Sequence, residues 1–178
     1  MAEIQSVLKP LEQFETLMKE IYTLLGKRFS TDPDAKAMFA RLAFEESSHA
    51  GQVQFLRRLA RQNPSHFADV DVDVEAINTE LRQIEKVTEA ASQLSLHEAV
   101  VLAIGFENGV AEVHSRPAIA GSNPKVGSLL QGLHSGDLKH YNLLVDFAQK
   151  RGFQTARATG PGVVGSGDVK SDGRGQDG

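Results

Sequence analysis

Two stretches of this chain break their own apolar pattern in the same way. Glu46-Ser-Ser-His49 sits in the stripe Leu42, Glu46, His49, Val53, and Asp137-Leu-Lys-His140 sits in the stripe Leu133, Asp137, His140, Leu144. Both stripes advance by four, three and four residues, the step of one face of an α-helix. An acid and a histidine three positions apart therefore point the same way, toward the side that the leucines and valines would bury. Burying an ionised carboxylate costs several kcal/mol unless it is paired or bound to metal. A single acid-x-x-His match is ordinarily a solvent-facing pair. Two matches, each inside an apolar stripe, need a compensating partner.

Two further helical stretches supply more carboxylates. Glu15 follows Leu11 and precedes Met18 and Tyr22 on one face, and Glu107 shares a face with Val100, Ala103, Val110 and His114. Tyr22 stands seven residues after Glu15, and His114 seven after Glu107, two helical turns in each case. Glu15 to Glu46 is 31 residues and Glu107 to Asp137 is 30, while Glu15 to His49 is 34 and Glu107 to His140 is 33. The chain thus repeats a site, Glu … Glu/Asp-x-x-His, and not only a hydrophobic period. Four carboxylates would be neutralised by two divalent cations, with both histidines neutral as ligands. Without metal the carboxylates repel, so metal binding should stabilise the fold.

The rest of the sequence frames these stretches. Helical periodicity runs over about 4–29, 33–62, 96–115 and 124–151. Thr31-Asp32-Pro33 is a helix start, Ser95-Leu-His-Glu98 a capping box, and Gly152 a stop. Between the second and third of these helices, Ile77, Leu81, Ile84 and Val87 predict a shorter helix over 74–92, after an extended HFADVDVDV stretch read as a loop. From Thr155 the sequence turns rich in Gly, Ser and Asp. It is read as a disordered tail (155–178) after one helical domain (1–154), with Val163–Val164 as a conceivable docking point.

Several classes fall away. The net charge of −4 does not suit a nucleic-acid partner. The absence of cysteine removes disulfides, zinc ribbons, iron–sulfur sites and a Cys nucleophile. No basic-then-apolar leader opens the chain, and no apolar run approaches the roughly 18 residues of a membrane span. A soluble cytoplasmic protein, with no membrane partner, is the expectation.

A Glu from each of two helices plus Glu-x-x-His from each of the other two is the pattern of ferritin-like di-metal carboxylate proteins. The chain resembles that superfamily, and within it the rubrerythrin-like proteins, over about residues 5–150. The likeness is carried by Glu15-x6-Tyr22, Glu45-Glu46-x-x-His49-Ala50, Ala103-Ile-Gly-Phe-Glu107 and Asp137-x-x-His140. It implies an all-α, ferritin-like four-helix bundle with a long crossover, holding a short extra helix, between the second and third bundle helices. It implies Glu15 and Glu107 as terminal ligands, Glu46 and Asp137 as bridges, and His49 and His140 as ligands of one metal each. Tyr22 resembles the phenol that hydrogen-bonds a ligand carboxylate, and His114 is a candidate for a similar supporting role or a core residue. Asp137 is a methylene shorter than the usual Glu. Val110 stands where rubrerythrins carry a further carboxylate, and their cysteine-bound iron domain has no counterpart here.

The resemblance implies two metal ions. Iron is the ion it names, and manganese or zinc also suits mixed N/O ligands. The leading expectation is Fe(II) oxidation by O2 or hydrogen peroxide. The alternatives are a peroxide reductase served by a separate electron-donor protein, and a non-catalytic metal-binding bundle. A homodimer is implied as well. Glu12, Glu20, Glu45 and Glu112 are read as solvated or charge-balancing, and His66, His97 and His134 as surface groups.

Overall fold

In a computed structural model the described residues form five α-helices: α1 (Ile4–Arg28), α2 (Pro33–Gln62), α3 (Val74–Ala90), α4 (Leu96–His114) and α5 (Pro124–Lys150). The structure describes residues 3–64, 67, 74–114 and 124–155, leaving out the side chains of Ala76, Glu80, Glu89, Val110–His114, Val126 and Leu130. Each helix ends within two residues of its expected bounds, and no strand occurs among the described residues. The stretch read as an extended loop lies outside the described residues apart from Phe67 and Val74. So do His66, the tail beyond Thr155 and the side chains of Glu112 and His114. No described helix is long and apolar enough to cross a membrane.

Local chemistry sets the helix ends. Asp32 caps α2 by accepting the Ala35 N–H at 3.1 Å, with Pro33 in the first turn. Ser95 and Glu98 form the expected capping box: the Ser95 N–H donates to Glu98 Oε2 at 2.8 Å and the Glu98 N–H to Ser95 Oγ at 3.3 Å. Gly152, at φ +67°, closes α5. The Phe153 N–H reaches the Ala148 carbonyl at 2.9 Å and the Gly152 N–H the Gln149 carbonyl at 3.0 Å, the paired bonds of a left-handed helix stop.

Packing fixes the helix directions. α1 buries Leu11, Phe14, Met18, Ile21 and Leu25, and α2 buries Met38, Phe39, Leu42, Val53 and Leu56. Each such side chain contributes about 1.5–3 kcal/mol. The Tyr22 and Phe39 rings stack at 6.1 Å near the end of α1 and the start of α2, while Arg57, near the end of α2, pairs with Glu12 of α1. The two helices are therefore antiparallel. His97, at the start of α4, bonds the Gln154 carbonyl at 3.1 Å and packs on Phe153 at 4.9 Å, so α4 and α5 are antiparallel too. Arg151, just beyond α5, donates to Asp32 at 2.7 Å, which sets α5 antiparallel to α2. α3 packs on α1, and Arg28 Nε donates to the Leu94 carbonyl at 2.8 Å. α3 thus runs alongside α1 in the same direction and carries the chain back to the start of α4.

Candidate metal centre

Six acidic or histidine side chains are buried among the described residues: Glu15, Glu46, His49, Glu107, Asp137 and His140, each 8% exposed or less. They are the six expected from the repeat. α1 contributes Glu15, α2 contributes Glu46 and His49, α4 contributes Glu107, and α5 contributes Asp137 and His140. Their neighbours on the same helix faces are buried as well: Leu42 and Val53 on α2, Leu133 and Leu144 on α5.

Glu46 lies at the centre. Its Oε2 is 3.2 Å from His49 Nδ1, and its Oε1 is 3.0 Å from His140 Nδ1. One carboxylate therefore offers an oxygen to each imidazole. Glu15 Oε2 lies 3.5 Å from His49 Nδ1, and Glu107 Oε2 lies 3.4 Å from His140 Nδ1. The two rings are near-parallel, with centroids 5.3 Å apart. Ligand atoms of Glu46, His49 and His140 fall within 4.8 Å of one another, and so do those of Glu107, Asp137 and His140. Either group could hold a metal ion. The Tyr22 hydroxyl, fully buried, donates to Glu107 Oε1 at 2.5 Å. Burial and the nearby Glu107 and Glu46 carboxylates push the Tyr22 phenol well above its usual pKa of 10, so it remains a donor.

Metal-free, the centre balances its charge with protons. Burial drives the imidazolium of His49 down, but Glu15 and Glu46 outweigh it and raise the pKa to about 10. For His140, burial is likewise outweighed, here by Glu107 and Glu46, and the pKa rises to about 11. Burial raises the Glu107 carboxyl above its ordinary value, against the pull of His140 and Tyr22. A histidine whose folded pKa exceeds its unfolded value of 6.5 binds more protons folded than unfolded at any pH between the two. Its stabilisation is complete below about 6.5 and is lost as pH climbs through about 10 to 11. Chemical denaturation of metal-free protein from pH 6 to 9 should show falling stability, by at most about 1.4 kcal/mol per pH unit per imidazole. A flat or rising profile would mean that the two rings are neutral in the folded chain.

The donor set fits a metal. His140 Nδ1 is buried and has no hydrogen-bond partner among the described residues, although carboxylate oxygens face it. Once deprotonated, a nitrogen so placed would face a metal held by those oxygens. Carboxylate and imidazole together suit iron, manganese or zinc.

Of its two readings, solvated or charge-balancing, Glu45 takes the second. It is half-buried, and its Oε2 lies 3.0 Å from His140 Nε2 while Arg41 Nε donates to its Oε1 at 2.7 Å. Partial burial raises the Glu45 carboxyl, yet Arg41 and His140 hold it below the usual range. The hint in the sequence was its place directly before Glu46, about 100° around the helix toward whichever helix packs there. Glu12 is likewise paired, with Arg57.

Comparison with protein-family models, with curated proteins and with solved structures finds no match for this chain. The centre has to be read from its own geometry.

Proposed function

We propose that the chain is a ferritin-like, rubrerythrin-like di-metal protein that oxidises Fe(II) with O2 or peroxide. The observation that carries this reading is the coincidence of the sequence repeat with the buried polar set, spanned by the two oxygens of Glu46. The helix directions also support it. α1 and α5 run one way, α2 and α4 the other, with α3 in the long link between α2 and α4.

Two Fe(II) ions, the substrate, would be held by Glu15 with His49 and by Glu107, Asp137 and His140, with Glu46 between them. Two Fe(II) ions held there would each supply one electron to the oxidant, a two-electron reduction of O2 to the peroxide level. The protein's share is binding and proton handling. His49 and His140 must release their protons before they ligate, so loading the site would release protons. Tyr22 fixes the Glu107 carboxylate by its hydrogen bond. The apolar residues beside the site keep out water that would otherwise compete for the carboxylates.

Anaerobic Fe(II) titration should saturate at two ions per chain, and admitting O2 should raise ferric absorbance in stopped flow. A faster reaction with peroxide than with O2 would move the assignment to the peroxide-reductase alternative, for which Val110 offers no carboxylate. Metal uptake without redox turnover, unaltered in Tyr22→Phe, would leave a binding bundle. Absence of Fe(II) uptake would end the proposal.

A further inference from the structure

The two halves of the centre are related by the sequence repeat but are not equally supported. Glu45, Glu46 and His49 correspond in order to Gly136, Asp137 and His140. Behind His140, Glu45 Oε2 stands 3.0 Å from Nε2, and Glu45 is itself gripped by Arg41. At the corresponding place behind His49, among the described residues, stands Gly136. A Cβ on Gly136 would fall 2.5 Å from His49 Cε1 and Nε2, so a carboxylate carried there would displace the ring it was meant to hold. The shorter Asp137 adds to the imbalance, because it clusters with Glu107 and His140.

Resting on the di-metal reading above, we propose that Glu45 is a positioning residue that makes the metal position at His140 tighter than the one at His49. A metal-bound imidazole ordinarily donates its other N–H to a carboxylate, which fixes ring orientation and raises ligand basicity. With Nδ1 turned to Glu46 and Glu107, His140 Nε2–H donates to Glu45 in that way. Arg41 keeps the acceptor ionised and in place. The ring of His49 has Gly136 where a carboxylate would stand, so among the described residues its nitrogens are oriented by Glu15 and Glu46. The two positions are therefore filled in order, the His140 side first, and the His49 side exchanges its ion more readily.

Calorimetric titration of the metal-free full-length chain with Zn(II), which needs no oxidant, tests this. The wild type should bind in two unequal steps, the tighter lost in His140→Ala and the weaker in His49→Ala. Glu45→Gln should weaken the tighter step about 10- to 100-fold and leave the other within about twofold. Arg41→Ala, at an exposed position that should not disturb folding, should weaken the same step by a smaller factor. A general loss of negative charge would weaken both steps alike, so an equal effect of Glu45→Gln on the two steps overturns the proposal. Two equal steps in the wild type, or a tighter step untouched by Glu45→Gln, overturns it as well while leaving the di-metal reading intact. A wild-type chain that takes up no Zn(II) removes the metal centre itself, and this inference with it.

Discussion

On the di-metal reading, Glu46→Ala should reduce metal binding from two ions per chain to at most one loosely held ion. No other single replacement should do as much, because Glu46 presents one oxygen to each imidazole, at 3.2 and 3.0 Å. Removing it takes a ligand from both positions at once. Glu15 or Glu107 would take from one. The effect is also visible in stability. A ligand present at a hundredfold excess over its Kd stabilises by about 2.7 kcal/mol, which raises Tm by roughly 5–10 °C in a chain of this size. Wild type should show that rise with Mn(II) or anaerobic Fe(II), and the variant little of it. Elemental analysis beside the melting curves provides the check. Equal metal content in the two proteins would remove Glu46 from the site and with it the di-metal assignment.

Gly136→Ala runs against the usual rule for a helical glycine. In an exposed helix interior, Gly→Ala gains up to about 1 kcal/mol. Gly132, one turn earlier on α5, should behave that way, since a Cβ there meets nothing within 4 Å. At Gly136 the same methyl falls on the His49 ring at 2.5 Å. The ring is the far end of a side chain and can swing, so the overpacking cost of about 1–3 kcal/mol is partly offset by the helix gain. Its alignment with Glu15 and Glu46 is lost in the swing. The expected outcome is a protein near wild-type stability, or slightly below it, whose His49-side metal step is weakened at least about tenfold. Denaturation and Zn(II) titration of the two glycine variants side by side decide it. If Gly136→Ala stabilises as Gly132→Ala does and titrates like wild type, the close approach of Gly136 to His49 does not exist in solution.

What the sequence made legible follows from what burial costs. Glu15, Glu46, His49, Glu107, Asp137 and His140 could be found because each interrupts an apolar stripe, and because the interruptions recur at nearly equal spacing. The helix ends could be found because Pro33, the Ser95–Glu98 pair and Gly152 act locally. Glu45 could not be found this way. It lies a quarter-turn off the core stripe of α2, where an acidic residue is usually solvated. Only the packing of α5 against that edge brings His140 within 3.0 Å. Gly136 was silent for the same reason: a missing side chain matters only when the opposing ring is known. Asp137 is intermediate. Its ligand-type position was readable, but its clustering with Glu107 and His140 depends on side-chain reach and helix spacing.

The course of α3 has a consequence for the chain during its synthesis. Each antiparallel pair, α1 with α2 and α4 with α5, carries two carboxylates and one imidazole. The contacts that join the pairs, Tyr22 to Glu107 and Glu45 to His140, close over 85 and 95 residues. They form only once the returning helix has been laid down and the second pair has docked. Before the pairs dock, each would present an incoming ion with only its own half of the cluster. On the proposed di-iron reading, redox chemistry of paired iron would then await the completed fold.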